Sequence, residues 1–394
     1  MRDKMHAMRP TFLPFSRPAI GEEEIAEVVD SLRSGWITTG PKVERFARAF
    51  AEYTGARHAV PVSSATAGLH LALLAHGVGP GDEVIVPAMT FASTANVVVH
   101  TGAVPVLADV HAGNLQIQPE DIERRLTRRT RAVIPVHFAG QPADLDPILA
   151  LAAQAKAAVI EDAAHAVGTE YRGRRIGSFP TTSVFSFHPN KNITTGEGGM
   201  VVTGDDAVAD QVALLRFHGM DRNAWKRFDK SGSHRYDIGA AGFKYNMMDL
   251  QAAIGLHQLP RLDGFIAERT RQAAVYDKAL GEMPGLVPPS RVLWPHRHAW
   301  HLYTPLLDLD RLTIDRDRFI TELKARNIGA GLHYTAVHEF SYYARRFGFR
   351  PEDFPGAHHV SERILSLPLF PGLGETDQQD VLEAIVDIVK RHGR

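Results

Sequence analysis

Apolar positions fall into two rhythms along the chain. Residues 22–33 place Ile25, Val28, Val29 and Leu32 at helical spacing, which predicts an amphipathic helix that buries those four side chains and stops at Gly35. Short continuous apolar runs then predict strands at 57–62, 83–86 (EVIV), 104–107 (VPVL), 132–136 (AVIPV), 157–161 (AAVIE), 183–187 (SVFSF) and 200–203 (MVVT). Helical patterns separate them, from Thr66 to about Ala75, then near 92–100, 119–126 and 145–155. Strands that are apolar throughout, interleaved with helices, imply a mostly parallel sheet covered on both faces.

The rhythm changes after Asn246. Residues 247–280 predict a long helix interrupted at Pro260, since proline removes a ladder donor. Residues 281–394 mix short strands with helices; Thr376 and Gln379 suggest a capping box for the last helix, which Lys390, Arg391 and Gly393 end. The expected fold class is α/β. It has an N-terminal arm over 1–20, a large domain over 21–265 and a smaller α+β domain over 266–394. A chain of 394 residues is ample for that much core.

Charge and composition narrow the function. With 44 Lys+Arg against 45 Asp+Glu the net charge is -1, so no global positive field draws the chain to nucleic acid or an anionic membrane. The one dense basic run, ERRLTRRTR over 123–131, reads as a solvated helix face and loop. Cysteine is absent, which excludes disulfides, cysteine-ligated metals and thiol catalysis and fits a reducing cytoplasm. No apolar run reaches the ~18 residues of a membrane helix. MRDKMHAMRPTF lacks the apolar region of a secretory signal. A cytoplasmic protein away from membranes is expected.

Ligands of open parallel sheets sit beyond the carboxyl ends of the strands. One such end reads Glu161-Asp162-Ala163-Ala164-His165, a crevice carboxylate or simply a helix-starting Asp. Another runs through Ser186 into HPNKNITTGEGG. There Lys191 is either a surface-loop lysine or one whose amine is desolvated for imine chemistry. A walled-in lysine with a strand-end aspartate is the pair that pyridoxal 5'-phosphate (PLP) needs. Ser63-Ser64-Ala65-Thr66 opens a helix and offers backbone N–H groups to a phosphate, or is an ordinary cap. Phe91 is a ring platform or core. The chain has 20 histidines, with His296, His298 and His301 close in sequence. HExxH spacing is missing, so no metal is expected. The glycine-rich His76–Gly81 follows a helix and precedes a strand, the wrong order for a dinucleotide fingerprint.

Taken in order, SSATAGLHLAL, GDEVIVPAMTF, PVHFAGQPADLDPI, VIEDAAHAVGT, FSFHPNKNITTGEGGM and GFKYNMMDLQAAIG resemble the DegT/DnrJ/EryC1/StrS family. Its members are PLP-dependent sugar aminotransferases of fold type I, the aspartate aminotransferase-like fold. The resemblance implies Lys191 as the Schiff-base lysine, Asp162 as partner of the pyridine nitrogen and His165 as neighbour of the phenolic oxygen. Ala65, Thr66 and Ser186 match phosphate contacts, and Phe91 the ring-stacking position. Ala65 stands where many members have glycine, a change that leaves backbone N–H contacts intact. Asn246 matches an asparagine that reaches the phosphate of the other subunit, so a homodimer with a shared site is implied. Relatives that dehydrate sugars carry histidine in place of Lys191; the lysine implies amino transfer.

The strings PFSRPAIGEEE, SGWITTGPK, HAWHLY, GLHYTAVHEFSYY and SERILSLPLFP are similar to members that aminate a UDP-linked 4-keto-pentose, where Phe91 replaces a tryptophan. The partners so implied are L-glutamate, leaving as 2-oxoglutarate, and a nucleotide-linked keto sugar, in lipid A, lipopolysaccharide or other polysaccharide biosynthesis. The alternatives are another 4-keto-6-deoxyhexose linked as UDP-N-acetyl, GDP or dTDP sugar, or a catalytically inactive regulatory relative. Trp36, Thr38, Thr39, His333 and His338 are candidates for the sugar nucleotide; a turn and interdomain packing are the plainer readings.

Overall fold

The computed structural model of the chain describes residues 9–220 and 236–394. Its main sheet is built from β1 (His58–Val62), β2 (Glu83–Pro87), β3 (Val104–Ala108), β4 (Thr130–Val133) and β5 (Ala158–Asp162). After two-residue strands β6 (Glu170–Tyr171) and β7 (Arg174–Arg175), it gains β8 (Thr182–Ser186) and β9 (Gly199–Thr203). The spatial order is β1-β9-β8-β5-β4-β2-β3. Only β9 runs antiparallel to its neighbours; all other pairs are parallel. The reason lies in the connection: residues 187–198 contain no helix to carry a crossover, so β9 folds back beside β8. β2, β8 and β9 are buried at every position, as their unbroken apolar runs require.

Four helices lead toward the sheet and its ligand edge: α1 (Glu22–Ser34), α2 (Pro41–Thr54), α3 (Ala65–Ala75) and α4 (Ala92–His100). α3 is buried continuously from Ala67 to Leu73, the mark of a helix enclosed on all sides. α1 corrects the sequence reading. Ile25 and Leu32 are exposed, Val28 and Val29 are half-buried, and the buried positions are Glu24 and Ser31. The Glu24 carboxylate accepts from Gln258 Nε2 (2.7 Å), Arg261 Nη1 (2.8 Å) and the Gly21 N–H (2.8 Å). Those charge-assisted bonds dock the polar side of α1 and turn its apolar stripe outward.

The strand expected at 132–136 ends at Val133, where Pro135 cannot donate to a ladder. The long helix divides as expected at Pro260, into Asp249–Gln258, a 3₁₀ turn over Leu259–Arg261 and Leu262–Gly281. Past it, strands are limited to the two-residue β10 (Leu286–Val287), β11 (His296–Arg297) and β12 (Leu306–Leu307). Helices Arg316–Ala325, Ser341–Phe347, Pro355–Arg363 and Glu375–His392 dominate instead. Gly374, not Thr376, is the cap of the last of these; its N–H donates to Asp377 Oδ2 at 3.3 Å. A core of Leu13, Tyr276, Tyr303, Phe319, Ile328, Leu367 and Ile385 unites this region. Leu13 pairs with Ile328, so the N-terminal segment is strapped across it. Among the described residues no helix is long and apolar enough to cross a membrane.

Candidate active site

The carboxyl end of β5 presents two carboxylates to opposite faces, as strand alternation requires. Glu161 accepts from His137 Nε2 (2.7 Å), from Ser183 Oγ (2.8 Å) and from the Thr181 hydroxyl. These bonds keep its pKa below the ordinary value despite complete burial. Asp162 faces the other way. It accepts from Thr94 Oγ1 at 2.8 Å and from the Ala164 N–H at 3.1 Å. Thr94 is fixed in turn by Thr90, 2.8 Å away. Among the described residues Asp162 has no ion-pair partner, and burial pushes its carboxyl upward.

Lys191 lies on the loop between β8 and β9. Its N–H bonds the His188 carbonyl at 2.9 Å, and Thr194 Oγ1 donates to the Phe187 carbonyl at 2.9 Å, fixing the turn. The Lys191 amine lies 3.4 Å from His301 Nε2. Burial lowers its pKa to about 8, against a smaller opposing pull from Asp162. His165 completes the arrangement. The Ala139 N–H donates to its Nδ1 at 3.2 Å; the ring hydrogen therefore sits on Nε2, which donates to Tyr334 Oη at 3.0 Å. The His165 and His301 rings are 4.3 Å apart. Burial and the nearby Lys191 charge hold both far below the ordinary histidine pKa, so both are neutral. His333 belongs to the same neighbourhood. It bonds Ser366 Oγ at 2.8 Å, and burial and Lys191 lower it to about 3. Phe91, at the start of α4, is exposed and lies 5.6 Å from the Tyr334 ring.

A second group of residues gathers at the start of α3. Ser64 Oγ accepts from the Ala67 N–H at 3.1 Å. The N–H groups of Ala65 and Thr66 lie in the first turn of the helix, where no intrahelical carbonyl reaches them, and are open to an anion. Gly199 permits a close approach here: a Cβ on it would stand 2.6–2.8 Å from backbone atoms of Ser64 and Ala65. Ser186 pairs with Gly199 across β8 and β9. Asn246 bridges to Val62 at the end of β1. Its Nδ2 donates to Thr39 Oγ1 at 2.6 Å, and Thr39 Oγ1 donates to the Met247 carbonyl at 2.5 Å.

The remaining candidates divide. Trp36 Nε1 donates to the Thr39 carbonyl at 3.3 Å, and the Thr38 carbonyl accepts from Asp249 N–H at 2.9 Å. They close a loop against residues 247–249, and no hydrogen bond or ring contact joins them to the Lys191 group among the described residues. His338 is not brought there either: its buried ring faces Phe354 at 5.0 Å. His298 stacks on Trp300 at 3.9 Å, so His296, His298 and His301 do not converge as ligands. Three residues were missed by sequence reasoning. His301 and Tyr334 lie inside the matched strings and Thr94 three residues past the end of one, but only the fold shows their contacts. A cavity lined by His76, Arg131, Lys156 and Asp205 opens at the opposite, amino-terminal end of the parallel strands and has none of this chemistry.

PLP has a fitting partner for each of its features. Lys191 offers the aldehyde a half-buried amine that meets His301 and, among the described residues, has no ion-pair partner; Asp162 offers the ring nitrogen a carboxylate likewise without an ion-pair partner. The start of α3 is an open set of N–H donors for the phosphate, and Phe91 an exposed ring for the heterocycle.

Comparison with known proteins gives the same picture. The profile of the DegT/DnrJ/EryC1/StrS aminotransferase family matches residues 18–386. The chain is 49% identical over 383 residues to the spore coat polysaccharide biosynthesis protein SpsC of Bacillus subtilis, covering 97% of this chain and 98% of that one. Spr1654 of Streptococcus pneumoniae, solved in its PLP form, superposes with a TM-score of 0.89 at 32% identity, covering 96% and 99% of the two chains. PseC of Helicobacter pylori, an aminotransferase involved in the biosynthesis of pseudoaminic acid, gives 0.89 at 27% identity over 97% and 100%.

Proposed function

From the premise that this chain belongs to the DegT/DnrJ/EryC1/StrS aminotransferase family, we propose that it moves the amino group of L-glutamate to the C4 keto carbon of a nucleotide-linked sugar. The protein is a PLP-dependent sugar aminotransferase of fold type I. The observation that carries this proposal is the Lys191 amine, 3.4 Å from His301 Nε2, without an ion-pair partner among the described residues and lowered by burial to about 8.

When bound, PLP supplies an aldehyde that takes up amines and a ring that accepts the electron pair of a broken C–H bond. The chain's residues do the rest. Lys191 holds the cofactor when no substrate is present. Released, its amine is the base that lifts the proton from the glutamate Cα and returns one to the sugar C4. The neutral His301 accepts a hydrogen bond from that amine and keeps it aimed. Asp162, oriented by Thr94, holds a negative charge where the ring nitrogen needs one. His165 donates through Nε2 and, with Tyr334, fixes the phenolic side. Ala65, Thr66 and Ser186 take the phosphate, and Phe91 covers the ring. Asn246 serves the site of a second copy, and the exposed stripe of Ile25 and Leu32 on α1 is the apolar surface such a homodimer covers. The balanced charge and lack of cysteine support a cytoplasmic setting without nucleic acid or membrane partners.

The sugar we propose is a UDP-linked 4-keto-pentose, giving UDP-4-amino-4-deoxy-L-arabinose, on the strength of the GWITTGP and GLHYTAVH segments. Trp36, Thr38, Thr39 and His333 are proposed to meet it. A second reading, a 4-keto-6-deoxyhexose destined for a surface polysaccharide, is favoured by the likeness to SpsC and PseC. Enzyme loaded with pyridoxamine phosphate and mixed with one nucleotide keto sugar at a time separates them. Return of the absorption band of the lysine-bound cofactor with the pentose, and weakly with acetamido-hexoses, supports the first. Return only with a hexose supports the second, and no return with any sugar refutes both.

A further inference from the structure

We propose that His338, Glu339 and His358 form a divalent-cation site of the zinc class, separate from the Lys191 group. Their ligand atoms all lie within 4.8 Å of one another. Glu339 Oε1 stands 2.8 Å from His358 Nδ1 and 3.7 Å from His338 Nε2. An ion placed among them would meet all three ligand atoms from one side. Two imidazoles and a carboxylate, with a fourth position left for water, are a donor set that zinc takes.

His338 is the observation that points to a ligand. It is 1% exposed, and neither ring nitrogen meets a hydrogen-bond partner. An imidazole carries a lone pair or a hydrogen on each nitrogen, and leaving both unmet in the interior is costly. A cation at Glu339 Oε1 takes up the Nε2 lone pair.

The surroundings are ordered as the outer shell of such a site. Glu339 Oε2 accepts from Ser361 Oγ at 2.7 Å, which leaves Oε1 turned toward the imidazoles. His358 Nε2, the nitrogen facing away, lies 3.8 Å from Glu362 Oε1, beyond hydrogen-bond distance but on the side from which a carboxylate favours the ring's outward N–H. Glu339 and His358 are half-buried, which provides entry from solvent. An ion here ties the 3₁₀ turn Val337–Glu339 to the helix Pro355–Arg363. That turn follows Tyr334 closely and is anchored by the Val337 N–H on the Ala88 carbonyl at 2.8 Å. The same ion therefore braces the segment that carries His333 and Tyr334.

The test uses untagged holoenzyme stripped with a chelator and dialysed against ZnCl2 beside a competing chromogenic chelator, with metal measured by elemental analysis. The expected result is one zinc per chain and, on CoCl2 substitution, the visible absorption of a low-symmetry Co(II) site. His358→Gln, a half-exposed position that the fold tolerates, and Glu339→Gln should weaken zinc by about 10–100-fold or more and lose the cobalt band. Zinc should raise the thermal midpoint of the parent protein and not that of His358→Gln or Glu339→Gln. His58→Gln, remote on β1, should bind like the parent. No zinc retained by the parent, or equal retention by His358→Gln, overturns the site.

Discussion

At the scale of single residues, Lys191 owes its chemistry to burial more than to any partner. Desolvation disfavours its ammonium, and Asp162 only partly offsets this. Two outcomes follow. In cofactor-free protein, covalent attachment of PLP, trapped by borohydride and located by peptide mass, should speed up as pH rises through about 8 and level off above it; Lys191→Ala should take up no covalent label. A rate indifferent to pH would show that the amine is not the titrating group. The second outcome concerns stability. A folded pKa below the unfolded 10.5 means that the unfolded chain binds the extra proton, so the penalty is absent above 10.5 and complete below about 8. Cofactor-free Lys191→Met should therefore be more stable than the parent at neutral pH by about 1–3 kcal/mol, with the gain shrinking toward pH 10. Urea titrations at two pH values measure it. Asp162 ends a buried strand and Lys191 lies on the loop five residues past another, so the sequence could place both at the ligand edge, and the family resemblance supplied their roles. Thr94, His301 and Tyr334 were not, since nothing in a linear pattern says that residues so far apart along the chain meet.

At the scale of elements, the cofactor end of the sheet depends on how closely β9 approaches the start of α3. Gly199 touches the Ser64–Ala65 peptide, and a methyl group there meets backbone, which cannot rotate away. Gly199→Ala should push β9 outward, destabilise the fold by about 1–3 kcal/mol and weaken PLP retention in dialysis while leaving the Lys191 pKa in place. Unchanged PLP retention would remove this contact from the phosphate site. The sequence showed β9 as a strand but not its direction, which the helix-free loop decides. It also showed α1 as a helix but mistook its buried side. Periodicity locates an apolar stripe without saying whether the chain's own core or a second surface covers it, and here Glu24 claims the inward side through Gln258 and Arg261.

At the scale of the whole molecule, that outward stripe and Asn246 make one argument. Ile25 and Leu32 lie exposed on α1, and Trp36 and Ile37 are exposed just beyond its end. Asn246 lies close by in the fold, bonded to Thr39. In the proposed homodimer a C2 interface would place the same patch of both copies together, and an asparagine at its edge would be delivered to the partner's phosphate. Ile25→Asp with Leu32→Asp should shift the protein toward monomer in sedimentation velocity and reduce PLP retention. Sharing itself has a sharper test in mixing two inactive enzymes. Lys191→Ala lacks the lysine, and Asn246→Asp sets a negative charge against the phosphate. If each site draws Lys191 from one chain and Asn246 from the other, a mixed dimer contains one doubly damaged site and one intact site. Random exchange makes half the dimers mixed, so activity should recover to about a quarter of the parent level. If both residues serve the site of their own chain, no dimer contains an intact site and mixing restores nothing.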